Sequence, residues 1–226
     1  HYMPKLFAFG CSHTYGQGLP DCIEGKKAPG PNPSKLGWVS KIGEALKKDV
    51  VNKGVCGAGN KEILWNLIKH STLITPEDSV IIQWSYFERN CIIRRKRPGI
   101  TANFDGVEVI KFGPWDTNKI NKIYYKFLQD ETDDVYSAAL YVNHANFLLN
   151  HYGIKKVLMI EPADNKSTTP MMRKEFNELI LPGAAMSDKN VTHFRFDTAL
   201  DDTHVGVKGN AEFARKALEH YGHILK

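Results

Sequence analysis

Short apolar runs alternate with amphipathic segments from one end of the chain to the other, and no other feature restricts the fold as much. The runs are Lys5 to Phe9, Val50 to Val55, Ser79 to Ser85, Lys156 to Ile160 and Val191 to Phe196. Between them, Leu36 to Lys48, Lys61 to Leu73, Val135 to Tyr152, Thr169 to Leu181 and Gly209 to Leu225 repeat apolar residues every three or four positions, as a helix with one buried face requires. Pro170 suits a first helical turn, and Pro182-Gly183 marks a stop. Strands that alternate with helices predict a five-stranded parallel sheet wrapped on both faces.

Two stretches interrupt the alternation, and each follows a strand. Gly16 to Lys35, rich in proline, glycine and lysine, reads as a long irregular loop. Cys91 to Lys126 holds an alternating segment around Asp105-Gly106, which resembles a hairpin, and then Gly113-Pro114-Trp115. The expectation is one domain over residues 1–226 with an insertion at about 91–126, because 226 residues divided between two cores would leave both small.

Hydrophobic residues at 42% and charged residues at 24% argue against wholesale disorder. Every apolar run falls far short of the roughly 20 residues a membrane-spanning helix needs. No secretion-signal pattern opens the chain, and His1-Tyr2 ahead of Met3 reads as an expression remnant, so a cytoplasmic location is expected. The net charge of +5 is mild. Its densest basic run, Arg94-Arg95-Lys96-Arg97, is read as a solvated loop, and neither a nucleic acid nor a membrane is expected as a partner. Cys11, Cys22, Cys56 and Cys91 lack the pairing and density of a disulfide scaffold and read as reduced, mostly buried thiols.

The chemistry sits near the two termini. Phe7-Ala8-Phe9-Gly10-Cys11-Ser12-His13-Thr14 is a strand running into a small-residue turn, which displays Ser12 at the carboxyl edge of a parallel sheet. Alone, Ser12 reads equally as a turn residue or a nucleophile, since a hydroxyl needs a base to accept its proton. Far downstream, Asp201-Asp202-Thr203-His204 precedes the last helix. An acid and a histidine three residues apart can share one tight loop, the aspartate fixing the ring tautomer while the other ring nitrogen faces the serine. An acidic cap beside a surface histidine is the plainer alternative.

A strand ending in Gly10-x-Ser12 near the amino terminus, paired with Asp201-x-x-His204 before a final helix, resembles the SGNH (GDSL-like) hydrolases. The family reads Gly-Asp-Ser where this chain has Gly10-Cys11-Ser12; the acid that Cys11 replaces is not the triad acid. Asn52-Lys53-Gly54-Val55-Cys56-Gly57 is similar to the family's second block, Asn-x-Gly-x-x-Gly. The match implies Ser12 as nucleophile, His204 as base, Asp201 as orienting acid, and the N–H groups of Ser12 and Gly57 as the oxyanion hole. It also implies a flavodoxin-like three-layer α/β/α sandwich and no cofactor or metal. A dinucleotide-binding turn at Gly54-x-x-Gly57-x-Gly59 is the rival reading of the same glycines, but its spacing departs from Gly-x-Gly-x-x-Gly and it follows the second strand.

The third block diverges. The family follows its third strand with Gly-x-Asn-Asp, whereas this chain reads Gln83-Trp84-Ser85-Tyr86-Phe87-Glu88-Arg89-Asn90. A gapless overlay puts Ser85 at the glycine and Phe87 at the asparagine, so that side-chain donor is missing or replaced. Asn60, the Trp84 indole, Arg89 and Asn90 are the candidates to replace it, and Arg89 would suit an anionic substrate. His13 is a further substrate-contact candidate, with a local structural bond as its plainer role. Glu161 with Asp164 reads as a pair of loop acids, and His220-x-x-His223 as partners of a helix carboxyl end. The expected activity is hydrolysis of a small ester, with an O-acetylated carbohydrate as the favoured substrate because Trp84, Trp115 and the insertion's tyrosines suit a sugar face. The alternatives are an inactive SGNH-fold module that binds a glycan or protein, and a nucleotide-binding protein.

Overall fold

The computed structural model describes residues 2–25, 28–95, 107–162, 168–184, 186–187 and 196–226. In chain order its elements are β1 (Lys5–Phe9), α1 (Ser12–Tyr15), β2 (Ile23–Glu24), β3 (Ala28–Pro29), α2 (Trp38–Leu46), β4 (Asp49–Asn52), α3 (Asn60–His70), β5 (Ser79–Gln83) and β6 (Asn90–Arg95). There follow β7 (Val107–Phe112), α4 (Lys119–Phe127), α5 (Glu131–His151), β8 (Lys156–Ile160), α6 (Pro170–Leu179) and α7 (Val207–Tyr221).

Strands β4, β1, β5 and β8 form, in that order, a parallel four-stranded sheet. The fifth strand expected at Val191 to Phe196 lies almost wholly outside the described residues, which resume at Phe196. Both faces of the sheet are covered, as an all-parallel sheet requires. The alternation of β1 shows how: Leu6 and Ala8 pack with α2 and α7 through Trp38, Ile42, Phe213 and Ala217, while Phe7 and Phe9 pack with α3, α5 and α6 through Ile63, Leu67, Val142 and Phe176. The result is the expected α/β sandwich of three layers.

Local chemistry explains the helix limits. The Thr169 hydroxyl caps α6 by accepting the Met172 N–H at 3.2 Å, one residue before Pro170. Asp130 caps α5 through the N–H groups of Thr132 and Asp133, and acids fill the first turn. That polar turn carries no apolar periodicity, and the helix starts four residues before the expected Val135. Helix α4 falls almost wholly within the expected insertion at about 91–126; its apolar residues Ile120, Ile123 and Phe127 keep helical spacing but face solvent. The loop after α1 also contains a two-residue antiparallel ladder, β2 with β3.

The expected hairpin is present as β6 paired with β7, from Asn90↔Phe112 to Arg95↔Val107. Its connection, which includes Asp105-Gly106, lies outside the described residues, as do Lys96 and Arg97. Arg94 pairs across this ladder with Glu108 at 2.9 Å, an exposed pair of little energetic weight. Among the described residues no helix is long and apolar enough to cross a membrane.

The strand order fixes where a ligand can sit. The chain leaves β1 towards one neighbour, β4, and returns across to its other neighbour, β5, so the topological switch point, where open parallel sheets bind ligands, lies past the carboxyl ends of β1 and β5. Ser12 follows β1, and Trp84 to Arg89 follow β5.

Candidate active site

Ser12 begins the single helical turn α1, at the position of the expected small-residue turn. Three neighbouring elements hold that turn still. From β5, Gln83 Oε1 accepts the buried Thr14 hydroxyl at 2.7 Å. From β4, Asn52 Nδ2 donates to the Thr14 carbonyl at 2.7 Å while its Oδ1 accepts the Gly54 N–H. From α2, the Trp38 indole donates to the His13 carbonyl at 3.1 Å. Thr14, Asn52 and Gln83 each fall within one of the three blocks, but nothing in a single sequence marks Thr14 and Gln83 as partners.

The carboxyl-terminal contribution is a tight loop closed at its base. Ala199 N–H donates to the His204 carbonyl at 2.9 Å, beside a bridge between Thr198 and Val205. Asp197 then caps α7, accepting the N–H groups of Lys208 and Gly209. Inside the loop, Asp201 Oδ1 accepts the N–H groups of Thr203 at 3.1 Å and His204 at 3.0 Å. Burial works against ionisation of this carboxyl, but these two bonds and the His204 ring outweigh it and hold its pKa below the usual value.

The two ends of the chain meet at His204. Its Nδ1 lies 2.6 Å from Asp201 Oδ2, and its Nε2 lies 2.9 Å from Ser12 Oγ. An ionised carboxylate only accepts, so the ring hydrogen belongs on Nδ1 and leaves the Nε2 lone pair for the Ser12 hydroxyl. The Thr203 hydroxyl also reaches Nδ1, at 3.1 Å. Ser12 is 3% exposed and the His204 side chain 17%, so the pair is open to a ligand mainly along the ring. The His13 ring meets the His204 ring edge-on at 5.2 Å. Gly18 presses on the acid: its φ is +84°, and a Cβ there would stand 2.5 Å from the Asp201 carboxyl carbon. No local pattern in the sequence marks that contact.

Gly57 holds φ +74°, a region costly for other residues, and lies on the loop between β4 and α3. Lys111 of β7 secures this loop by donating to the Cys56 carbonyl at 2.6 Å, with Glu62 3.4 Å from the same ammonium. The candidates for the missing donor fare differently. Asn60 is buried and committed, its Oδ1 accepting the Ser85 N–H at 2.7 Å and its Nδ2 directed at the Tyr86 carbonyl at 3.5 Å. Asn90 is spent on Tyr124 and on the Cys91 N–H. Trp84 is packed in the core facing α3 and α5, and its indole N–H is buried without a partner among the described residues, as is the Ser85 hydroxyl. Arg89 lies over the rings of Tyr86 and Trp115, 4.6 and 4.3 Å from their centroids.

The remaining residues take the plainer readings. Glu161 pairs with Arg173 at 3.5 Å, and Asp164 lies outside the described residues. His220 sits in the last turn of α7. All four cysteines are unpaired, and burial pushes Cys56 up to about 12 and Cys91 up to about 11, which keeps both as thiols. Among the described residues no group of three or more His, Cys, Asp or Glu is arranged to hold a metal ion.

No protein-family model matches the sequence, and neither does any curated protein. Solved structures do match. A carbohydrate esterase family 2 enzyme with a carbohydrate-binding domain, from Corynascus thermopiles (Myceliophthora fergusii), superposes with TM-score 0.59 at 12% identity over 98% of this chain and 66% of its own. A member of the lipolytic protein G-D-S-L family from Veillonella parvula gives 0.53 at 14% identity over 96% and 98%. A carbohydrate acetylesterase from Sinorhizobium meliloti gives 0.52 at 12% identity over 98% and 99%. The chain therefore has the SGNH/GDSL-like hydrolase fold.

Proposed function

We propose that this protein is a carboxylic ester hydrolase with a serine nucleophile, acting on small O-acyl esters and in particular on O-acetylated carbohydrates. One observation carries the reading: Asp201, His204 and Ser12 form an unbroken hydrogen-bonded line of 2.6 and 2.9 Å between loops 192 residues apart in sequence. Ser12 Oγ attacks the acyl carbon as His204 Nε2 takes its proton, and Asp201 stabilises the ring's positive charge. The N–H groups of Ser12 and Gly57 receive the charge that develops on the carbonyl oxygen. Nε2 then returns the proton to the departing alcohol, and water releases the acyl group along the same path in reverse. Two features support the carbohydrate assignment: the neighbours named as carbohydrate esterases, and the exposed indole of Trp115, an apolar face suited to a sugar ring.

A second reading, a binding module without turnover, is favoured by the third block, where both asparagines that might supply the missing donor are committed elsewhere. Release of p-nitrophenol from short-chain esters, and of acetate from acetylated sugars, decides between the two. The hydrolase reading expects turnover by the wild type and a fall of about 10⁶ in kcat for Ser12→Ala. Glycan binding by a wild type with no turnover on any of these esters would favour the module instead.

A further inference from the structure

We propose that Arg89 is the anchor of an oxyanion-binding subsite beside the Gly57 loop, so that the ester this protein takes carries a carboxylate, phosphate or sulfate group. The inference rests on the hydrolase reading above and narrows its substrate class. Arg89 ends the segment that leaves the carboxyl end of β5, and Gly59 packs against its backbone: a Cβ on Gly59 would stand 2.5 Å from the Arg89 carbonyl oxygen. Gly57 is two residues away.

The guanidinium is held but not neutralised. It lies over the rings of Tyr86 and Trp115, and both Nε and Nη1 are buried with no hydrogen-bond partner among the described residues. No carboxylate among those residues pairs with it. Ring faces return only part of what it costs to strip water from a cation. A planar fork of donors lacking an acceptor matches the paired oxygens of a carboxylate, phosphate or sulfate, which it can bind through two parallel bonds. Arg89 as a whole is only half-buried, and Nη2 is not among its buried, unpartnered atoms. Trp115, over whose ring the guanidinium lies, is itself 54% exposed, and its indole rests on Gly113 at a turn closed by the Asp116 N–H bond to the Gly113 carbonyl.

The test compares 4-acetoxybenzoate with its neutral methyl ester, which shares the acyl group and has a similar leaving phenol. Wild type is expected to favour the anionic ester at least about tenfold in kcat/KM, the scale of one charge-assisted hydrogen bond. Arg89→Met should bring that ratio to about one through KM. Arg89→Lys, which keeps the charge and loses the fork, should fall between them, and near-ultraviolet circular dichroism confirms folding. Calorimetry with benzoate reads the subsite without turnover: Ser12→Ala should bind it, and the double variant with Arg89→Met should not. Equal preference in wild type and Arg89→Met, or benzoate affinity unchanged by the substitution, overturns the proposal. Arg89-dependent benzoate binding in a protein whose hydrolysis survives Ser12→Ala would sink the reaction assignment and leave the subsite standing.

Discussion

Two segments leave the carboxyl ends of neighbouring strands, β1 and β5, and are built on opposite terms. Around Ser12, the polar atoms that set the geometry have partners: Thr14 with Gln83, Asn52 with Thr14 and Gly54, Asp201 with Thr203 and His204, and His204 with Ser12. In the segment after β5, Trp84 Nε1, Ser85 Oγ and Arg89 Nε and Nη1 are buried without partners among the described residues. An unsatisfied buried group costs about 1–3 kcal/mol, whereas a completed network fixes a single arrangement. The difference separates two tasks. Reacting groups gain from being held in place before substrate arrives, while the unmet donors of Arg89 are the ones proposed above to be completed by a ligand.

Substitutions in the satisfied region should cost most. His204→Ala is expected to lower kcat by about 10⁶, and Asp201→Asn by about 10⁴, because the amide no longer enforces the Nδ1–H tautomer. Next comes Gly18→Ala, whose methyl group would collide with the Asp201 carboxylate; an acid displaced by 1 Å corresponds to about a hundredfold loss in kcat. The contrast sharpens in stability. Thr14→Val should lower unfolding free energy by about 1–3 kcal/mol, since it leaves Gln83 Oε1 without that donor, whereas Ser85→Ala removes an unpartnered hydroxyl and should be neutral or stabilising. Urea denaturation measures both, and equal losses would erase the distinction between the regions.

Dependence on pH has two signs. The Asp201 pKa is lowered in the fold, so its contribution to stability is complete above the unfolded value of about 3.9 and fades as the pH falls through the folded value. Asp134 behaves oppositely: burial, with Glu88 adding repulsion, pushes its pKa up to about 7 despite the Gln129 hydrogen bond. The folded chain therefore holds that proton more tightly than the unfolded chain, and stability drains away as pH rises from about 4 to about 7. Asp134→Asn should raise the melting temperature at pH 8 and flatten the neutral side of the profile.

The sequence revealed most where one local rule governs. The limits of β1 and β8 follow from apolar runs flanked by polar residues, and the start of α6 from Thr169-Pro170. Ser12, Asp201 and His204 were legible because their spacing within each block is short and the chemistry that joins them is specific. What escaped depends on contacts between distant segments: Gly18 against Asp201, Trp38 against the His13 carbonyl, and Asn210, which accepts the Trp38 N–H and donates to the carbonyls of Val205 and Gly206. Helix α4 escaped for another reason. A helix whose apolar face meets solvent has the periodicity of a buried one but no strand beside it to set its place.

The reactivity of one hydroxyl tests the central claim most directly. A fluorophosphonate probe, mapped by mass spectrometry, should attach to the peptide that contains Ser12 in the wild type and leave it unlabelled in His204→Ala. An intact wild type that takes no label, or takes it at a different serine, would contradict the account.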